Sequence, residues 1–128
     1  MATILIVEDS PDNMKLFRTL LTLRGHTVVG LPSGDGLLDA IVTAQPALVL
    51  MDIQLPGRDG FELLGEIRES PHRAHRALRV VALTAHAMSG DRERAMDAGF
   101  DGYITKPIEI RSFPDQVNRA LEGEIVSQ

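Results

Sequence analysis

Short apolar runs alternate along this chain with longer stretches in which apolar residues recur at helical spacing. Residues 3–7, 27–31, 47–51, 78–83 and 102–105 read as strands, since each is a compact run rich in Val, Ile, Leu or other strand-forming residues. Between them, Met14, Phe17, Leu20 and Leu21 make one helical face, Leu37, Leu38 and Ile41 a second, and Phe61, Leu63, Leu64 and Ile67 a third. A fourth helix is expected over residues 89–98, with Met96 as its only large apolar anchor. A helix that buries so little should be the easiest to shift. A fifth runs to about Leu121.

The punctuation agrees with these elements. Ser10-Pro11 is an N-cap followed by proline at the first helical position. Gly25 and Gly99 close helices, Ser33 is placed to cap the second, and Pro46 and Ser70-Pro71 stop the second and third. Residues 71–77 read as a polar loop rich in Arg and His. Pro114 would be costly deep in a helix, so the last helix is expected to begin late, with Ser112 as cap and Pro114 in its first turn, or to kink.

Strands alternating with helices predict an α/β fold: a five-stranded parallel sheet with five helices on both faces, joined by right-handed crossovers. The 128 residues suit a single domain over 1–128, with a core of about 3–121. Seven residues follow Leu121, so no output domain is expected.

Composition narrows the function. The apolar fraction is 44 % and no run approaches the length of a membrane span. The N-terminus lacks the basic flank and long apolar stretch of a secretory leader, so none is expected, and the absence of cysteine excludes disulfides and thiol chemistry; both suit a cytoplasmic protein. A net charge of −5, with one Tyr, four Phe and no Trp, argues against a nucleic-acid footprint.

Three predicted strands end in groups that chemistry can use: Glu8-Asp9 after 3–7, Asp52 after 47–51, and Lys106, directly before Pro107, after 102–105. A parallel sheet brings these ends to one edge, where open α/β folds place their active crevice. Asp52 can attack a phosphoryl group to form an acyl phosphate. Glu8 and Asp9 would repel it, and a divalent cation relieves such repulsion. Lys106, which has only Lys15 as a competitor, would be a point charge for phosphoryl oxygens. The Thr84 hydroxyl could bond one of those oxygens and pull the following loop inward. Each residue also has a plain reading when taken alone: Asp52 as a turn residue beside Leu55-Pro56-Gly57, Glu8-Asp9 as an acidic helix entry, Lys106 as a surface lysine, Thr84 as a β-branched strand residue, Tyr103 as a half-buried ring. His72 and His75 share helical spacing but lie in a predicted loop with no third ligand, so a solvated loop is the better reading.

Taken in order, Val7-Glu8-Asp9, Met51-Asp52-Ile53-Gln54-Leu55-Pro56-Gly57, Leu83-Thr84-Ala85 and Lys106-Pro107 resemble the receiver domains of two-component response regulators, the CheY-like superfamily, from Ile4 to about Leu121. The look is nearest to single-domain regulators of the DivK kind. The resemblance implies a flavodoxin-like doubly wound (βα)5 fold and bacterial phosphorelay signalling. It implies Asp52 as phosphoacceptor and Mg²⁺ (Mn²⁺ able to substitute) on Asp9, Asp52 and the Gln54 backbone carbonyl, with Glu8 acting largely through water. It further implies a cis bond before Pro107, Thr84 and Tyr103 as switch residues, and side chains at Gln54 and His86 that tune hydrolysis of the phosphoaspartate. Its partners would be a histidine kinase or histidine phosphotransfer protein, docking on the first helix near Asn13, Met14 and Phe17, and a downstream protein. No nucleic acid or membrane is implied, and the chain would be a monomer or weak homodimer. It would be a phosphoacceptor switch, catalysing only its own modification. Two alternatives stand beside this: a phosphorylation-independent binding module, which predicts loss of Asp9, Asp52 or Lys106, and an aspartate-nucleophile phosphohydrolase, which usually wants a second acid where Gln54 stands.

Overall fold

Consecutive apolar residues build each inner strand, and the two-residue alternation of a strand sends them to opposite faces of the sheet. In the computed structural model, which describes residues 2–55, 57–85, 91–123 and 126–127, the strands are β1 (Thr3–Val7), β2 (Thr27–Leu31), β3 (Leu48–Asp52), β4 (Val80–Thr84), β5 (Gly102–Thr105) and β6 (Val126–Ser127). They pair in parallel in the order β2-β1-β3-β4-β5-β6. The expected five-stranded parallel sheet is present, and the two-residue β6 extends it at the β5 edge. Nothing in the polar C-terminal sequence signals so short a strand.

The helices are α1 (Pro11–Thr22), α2 (Leu37–Ala44), α3 (Gly60–Arg68), α4 (Arg73–Arg76), α5 (Asp91–Ala98) and α6 (Phe113–Leu121). On one face of the sheet, Leu5, Val7, Val49, Met51, Val80 and Ala82 pack under α2, α3 and α5. On the other, Ile4, Ile6, Leu48, Leu50, Val81 and Leu83 pack under α1 and α6. Phe17 of α1 and Phe113 of α6 stack there with ring centroids 5.3 Å apart. Helices therefore cover both faces, as expected, but there are six of them among the described residues instead of five.

The sixth is α4, within the segment read from sequence as a solvated loop. His75 is buried there, with Nδ1 3.0 Å from the Ser70 hydroxyl, and the His72 and His75 rings lie 4.9 Å apart. The turn is short enough to escape a periodicity argument. Arg68 anchors the region: its guanidinium donates to the carbonyls of Arg76, Leu78 and Gly99 and to Asp101 over 2.6–3.1 Å.

Ser10 caps α1, its hydroxyl accepting the Asn13 N–H at 3.3 Å, with Pro11 in the first turn. Ser33 does not cap α2. Its hydroxyl accepts the Asp35 N–H, and the helix starts after Gly36, whose φ of +76° is the left-handed conformation glycine adopts freely. The last helix begins at Phe113, with Ser112 at the N-cap position and Pro114 in the first turn. There a missing N–H costs little, so the proline is accommodated without a kink. The Ser112 side chain makes no capping bond.

Candidate functional site

Register assembles the site. Val7 pairs with Met51, Asp52 with Leu83, and Thr84 with Thr105. The residues that follow these pairs, Glu8, Asp9 and Lys106, therefore meet Asp52 and Thr84 at the carboxyl edge of the sheet. Between β1 and β3 the chain's direction of winding reverses, and this is where open α/β sheets bind ligands.

Asp52 is 3 % exposed. Its Oδ1 accepts the Gln54 backbone N–H at 2.9 Å and its Oδ2 accepts from Lys106 Nζ at 2.8 Å. Lys106 reaches across the end of β4 and also sits 2.8 Å from Glu8 Oε1. That second contact is an ion pair in distance only: Oε1 is buried and lacks a partner in hydrogen-bonding geometry. Glu8 Oε2 accepts the Ser10 backbone N–H at 3.1 Å. The peptide bond between Lys106 and Pro107 is cis, and the Lys106 N–H donates to the Thr84 carbonyl at 2.6 Å.

The charges are unevenly balanced. Burial pushes the Glu8 carboxyl above its usual range, against the opposing pull of Lys106 and the Ser10 N–H, and the nearby Asp52 adds to the rise. Burial alone would lower the Lys106 ammonium, but Asp52 and Glu8 outweigh it and the net shift is upward. Lys106 therefore stays charged, and Glu8 is the group under electrostatic load.

Ligand atoms of Glu8, Asp9 and Asp52 all lie within 4.8 Å of one another, with Asp9 exposed and the other two buried. Oxygen donors of this kind suit a hard divalent cation, and the ill-satisfied Glu8 Oε1 fits that reading. This group is the acidic site the sequence predicted at the strand ends.

Thr84 and Tyr103 are both buried, Thr84 at the end of β4 and Tyr103 in the core on the α2–α3–α5 side. The half-buried ring suggested for Tyr103 is thus a fully packed one. Gln54 is exposed, with its backbone N–H turned to Asp52. His86 lies outside the described residues. Lys15, the other lysine, is exposed on α1.

Sequence reading missed Gly60. A Cβ there would stand 2.8 Å from both the Asp52 carbonyl oxygen and the Ile53 Cα. Only a glycine lets the first turn of α3 lie this close to the strand end that carries Asp52, and the Asp59-Gly60 pair was the signal available. Asp59 caps the same helix through the Glu62 N–H at 2.9 Å.

Residues 4–118 match the family model described as response regulator receiver domain. The chain belongs to the response regulator receiver domain family. The polar-differentiation response regulator DivK of Brucella ovis is 39 % identical over 119 residues, covering 93 % of this chain and 95 % of DivK. A putative response regulator from Chloroflexus aurantiacus superposes with a TM-score of 0.85 at 28 % identity, covering 94 % of this chain and 98 % of the other. The receiver domain of a Pseudomonas aeruginosa sensor histidine kinase, whose structure has magnesium coordinated in the active-site cleft, superposes with a TM-score of 0.78 at 31 % identity over 94 % of each chain. This receiver domain is therefore a signalling module of the two-component kind, similar along nearly its whole length to a regulator composed of a receiver alone. No helix among the described residues is long and apolar enough to cross a membrane.

One measurement probes the site's balance. Replacing Glu8 with Gln should raise cation-free stability at neutral pH and shrink the rise in Tm produced by a divalent cation. The folded state holds the Glu8 proton more tightly than the unfolded chain does. Ionised Glu8 therefore costs stability above its raised folded pKa, and the cost fades as pH falls toward the ordinary value of 4.5. Wild type should gain stability relative to Glu8→Gln across that acid window. Thermal melts of both proteins from neutral to mildly acidic pH, with and without cation, read the difference. A Gln variant less stable than wild type throughout would contradict it.

Proposed function

We propose that this receiver accepts a phosphoryl group on Asp52 from a phosphohistidine and switches a protein-binding face in response. The observation that carries the reading is the Asp52 carboxylate held between the Gln54 N–H and Lys106, 2.8 Å from its ammonium, inside the acidic group of Glu8 and Asp9.

In the transfer, an Asp52 carboxylate oxygen bonds to phosphorus while the P–N bond of the donor imidazole breaks. The imidazole nitrogen keeps the electron pair. The product is a mixed anhydride, the acyl phosphate. Oδ1 is held by the backbone, so Oδ2, against Lys106, is the better-placed nucleophile. Lys106 then follows the charge from the carboxylate to the phosphoryl oxygens, which requires little movement of its head group. Such transfers depend on positioning and charge neutralisation far more than on covalent help from the protein.

Mg²⁺ fits the acidic group, with Mn²⁺ as a substitute. Asp9, Asp52 and the Gln54 backbone carbonyl would hold it directly, with Glu8 alongside through water. When bound, the cation supplies positive charge where several carboxylates and a phosphoryl group converge. Glu8's ill-satisfied oxygen supports this, as does the magnesium in the related kinase receiver.

For the switch, the Thr84 hydroxyl would turn to a phosphoryl oxygen, and Tyr103 would respond from its buried place as the loop after β4 moves. Gln54 and His86 would set the lifetime of the phosphoaspartate by controlling water's approach. The donor, a histidine kinase or a phosphotransfer protein, would dock beside α1. A cleft of about 240 Å³ lined by Asn13, Leu16, Lys106, Pro107 and Ile108 opens there, next to the site. Phe17 is committed to the core, so the contact surface falls to its neighbours. The chain acts as a cytoplasmic single-domain regulator, passing its signal by protein contact to a downstream target.

Chelation tests the role of the cation. Uptake of phosphoryl groups from a small acyl-phosphate donor should stop in excess EDTA and return with Mg²⁺ or Mn²⁺. Uptake that continues at full rate under chelation would remove the cation from the mechanism.

A further inference from the structure

At the end of the sheet opposite Asp52 lies a second surface that the phosphoryl chemistry does not use. Pro46 precedes β3 and Leu78 precedes β4, so a groove between them sits at the amino ends of the strands. Asp52 terminates β3 six residues after Pro46, about 20 Å away along the strand. The groove is a cleft of about 360 Å³, walled by Ile41, Val42 and Pro46 on the α2 side and by His72 and Ala74 on the α4 side, with Leu78 beneath. Val42 is 56 % exposed at its rim, among the few large apolar side chains so placed.

The rim is basic. No acidic residue occurs between Glu69 and Asp91, although the chain as a whole carries −5, and α4 brings Arg73 and Arg76 to the surface. Arg76 Nη1 is occupied by the carbonyls of Ser70 and Pro71 at 3.0 and 3.1 Å. Arg73 is exposed, and its guanidinium has no hydrogen bond or ion pair among the described residues. The Ser70–His75 contact and the Arg68 bonds fix α4 in place, so this wall is preorganised. The nearest acidic side chain of α2, Asp39, lines a separate cleft with Arg58.

We propose that this groove docks an acidic segment of a partner protein, with an apolar side chain entering the cleft over Val42 and a carboxylate meeting Arg73. Charge complementarity selects the occupant: an exposed, unpaired arginine flanked by the lining residues His72 and Ala74, on an otherwise acidic domain, favours an acidic chain with an apolar anchor. A concave cleft takes a side chain, whereas a membrane surface would want protruding apolar groups and several free cations. Because the groove and Asp52 lie at opposite ends of the strands, a partner held here leaves the phosphoacceptor open. The receiver could then be tethered and phosphorylated at once.

The test uses the intact ¹⁵N-labelled protein and a blocked peptide of sequence Glu-Glu-Leu-Glu-Phe-Leu-Glu-Glu, beside its Lys-for-Glu counterpart. Amide shifts should concentrate in residues 41–46 and 72–78 for the acidic peptide only. Arg73→Glu and Val42→Glu, both at exposed positions, should each weaken binding about tenfold, since reversing one charge or charging the rim is worth about that factor. Raising the salt from about 50 to about 500 mM should weaken it further. Asp52→Asn should bind the peptide unchanged, which separates this inference from the phosphoacceptor reading. Absence of those shifts at millimolar peptide, equal binding of the basic peptide, or binding indifferent to Arg73→Glu would overturn the proposal. So would pelleting with anionic phosphatidylglycerol vesicles in the absence of peptide shifts.

Discussion

Incubated with Mg²⁺ and an acyl-phosphate donor, the wild-type chain should gain the mass of one phosphoryl group, and Asp52→Asn should gain nothing. The amide that replaces the carboxylate keeps nearly the same shape and can still accept the Gln54 N–H, so the fold should survive. What it lacks is a nucleophilic anion. It also offers Lys106 a neutral oxygen in place of a charged partner, which leaves Glu8 as the ammonium's sole buried counter-ion. Loss of uptake should therefore be complete, with little change in melting temperature. Intact-mass spectrometry after a timed incubation reads the result, and a phosphorylated Asp52→Asn protein would move the acceptor elsewhere. If small donors label neither protein, a panel of phosphorylated histidine kinases takes their place. Failure of wild type with every kinase would return the chain to a binding role.

The second large effect concerns a residue with no chemistry of its own. Gly60→Ala should destabilise the domain by about 3 kcal/mol, the upper part of the range for overpacking a tight interior. The added methyl would meet backbone atoms of Asp52 and Ile53 at 2.8 Å, and neither can rotate aside as a flexible side chain would. Either α3 lifts from the sheet, opening the contacts of Leu63, Leu64 and Ile67, or the end of β3 is displaced. Both routes lower Tm, by roughly 10 °C for a domain of this size. The second also moves the carboxylate away from Lys106, so phosphoryl uptake should slow even at temperatures where the variant is folded. Gly65→Ala makes the control: it lies in the same helix and its Cβ would meet nothing within 4 Å. Equal stability of the two variants would mean that the close approach at Gly60 is unimportant.

These two residues mark what sequence can and cannot disclose. Asp52 was legible because a charged group at the end of an apolar strand is anomalous, and three such anomalies at parallel strand ends point to one place. The strands and their faces were legible for a related reason, since buried parallel strands leave long apolar runs. Gly60 was not, because its importance is a distance between backbones, fixed only once α3 is laid on β3. The same holds for α4: four residues carry too little period to announce a helix, and the burial of His75 depends on Ser70 and on Arg68, whose partners lie up to 33 residues away. Ser33 shows the opposite failure, a good capping residue used for a turn because Gly36 reverses the chain just ahead of α2. In the site itself, the sequence named the members but not the sharing of one ammonium between two buried carboxylates.

That sharing joins residues 8, 52 and 106, which meet at the carboxyl ends of β1, β3 and β5 and are far apart in the chain. On the ribosome the two carboxylates emerge long before their counter-ion. A nascent chain that has already paired β1 with β3 brings the two carboxylates together before the lysine that pairs with them exists, and domains of such non-local pairing fold slowly in any case. Lys106 therefore completes the pocket late: the acidic end of the sheet gains its own counter-ion only after more than four-fifths of the chain has been made.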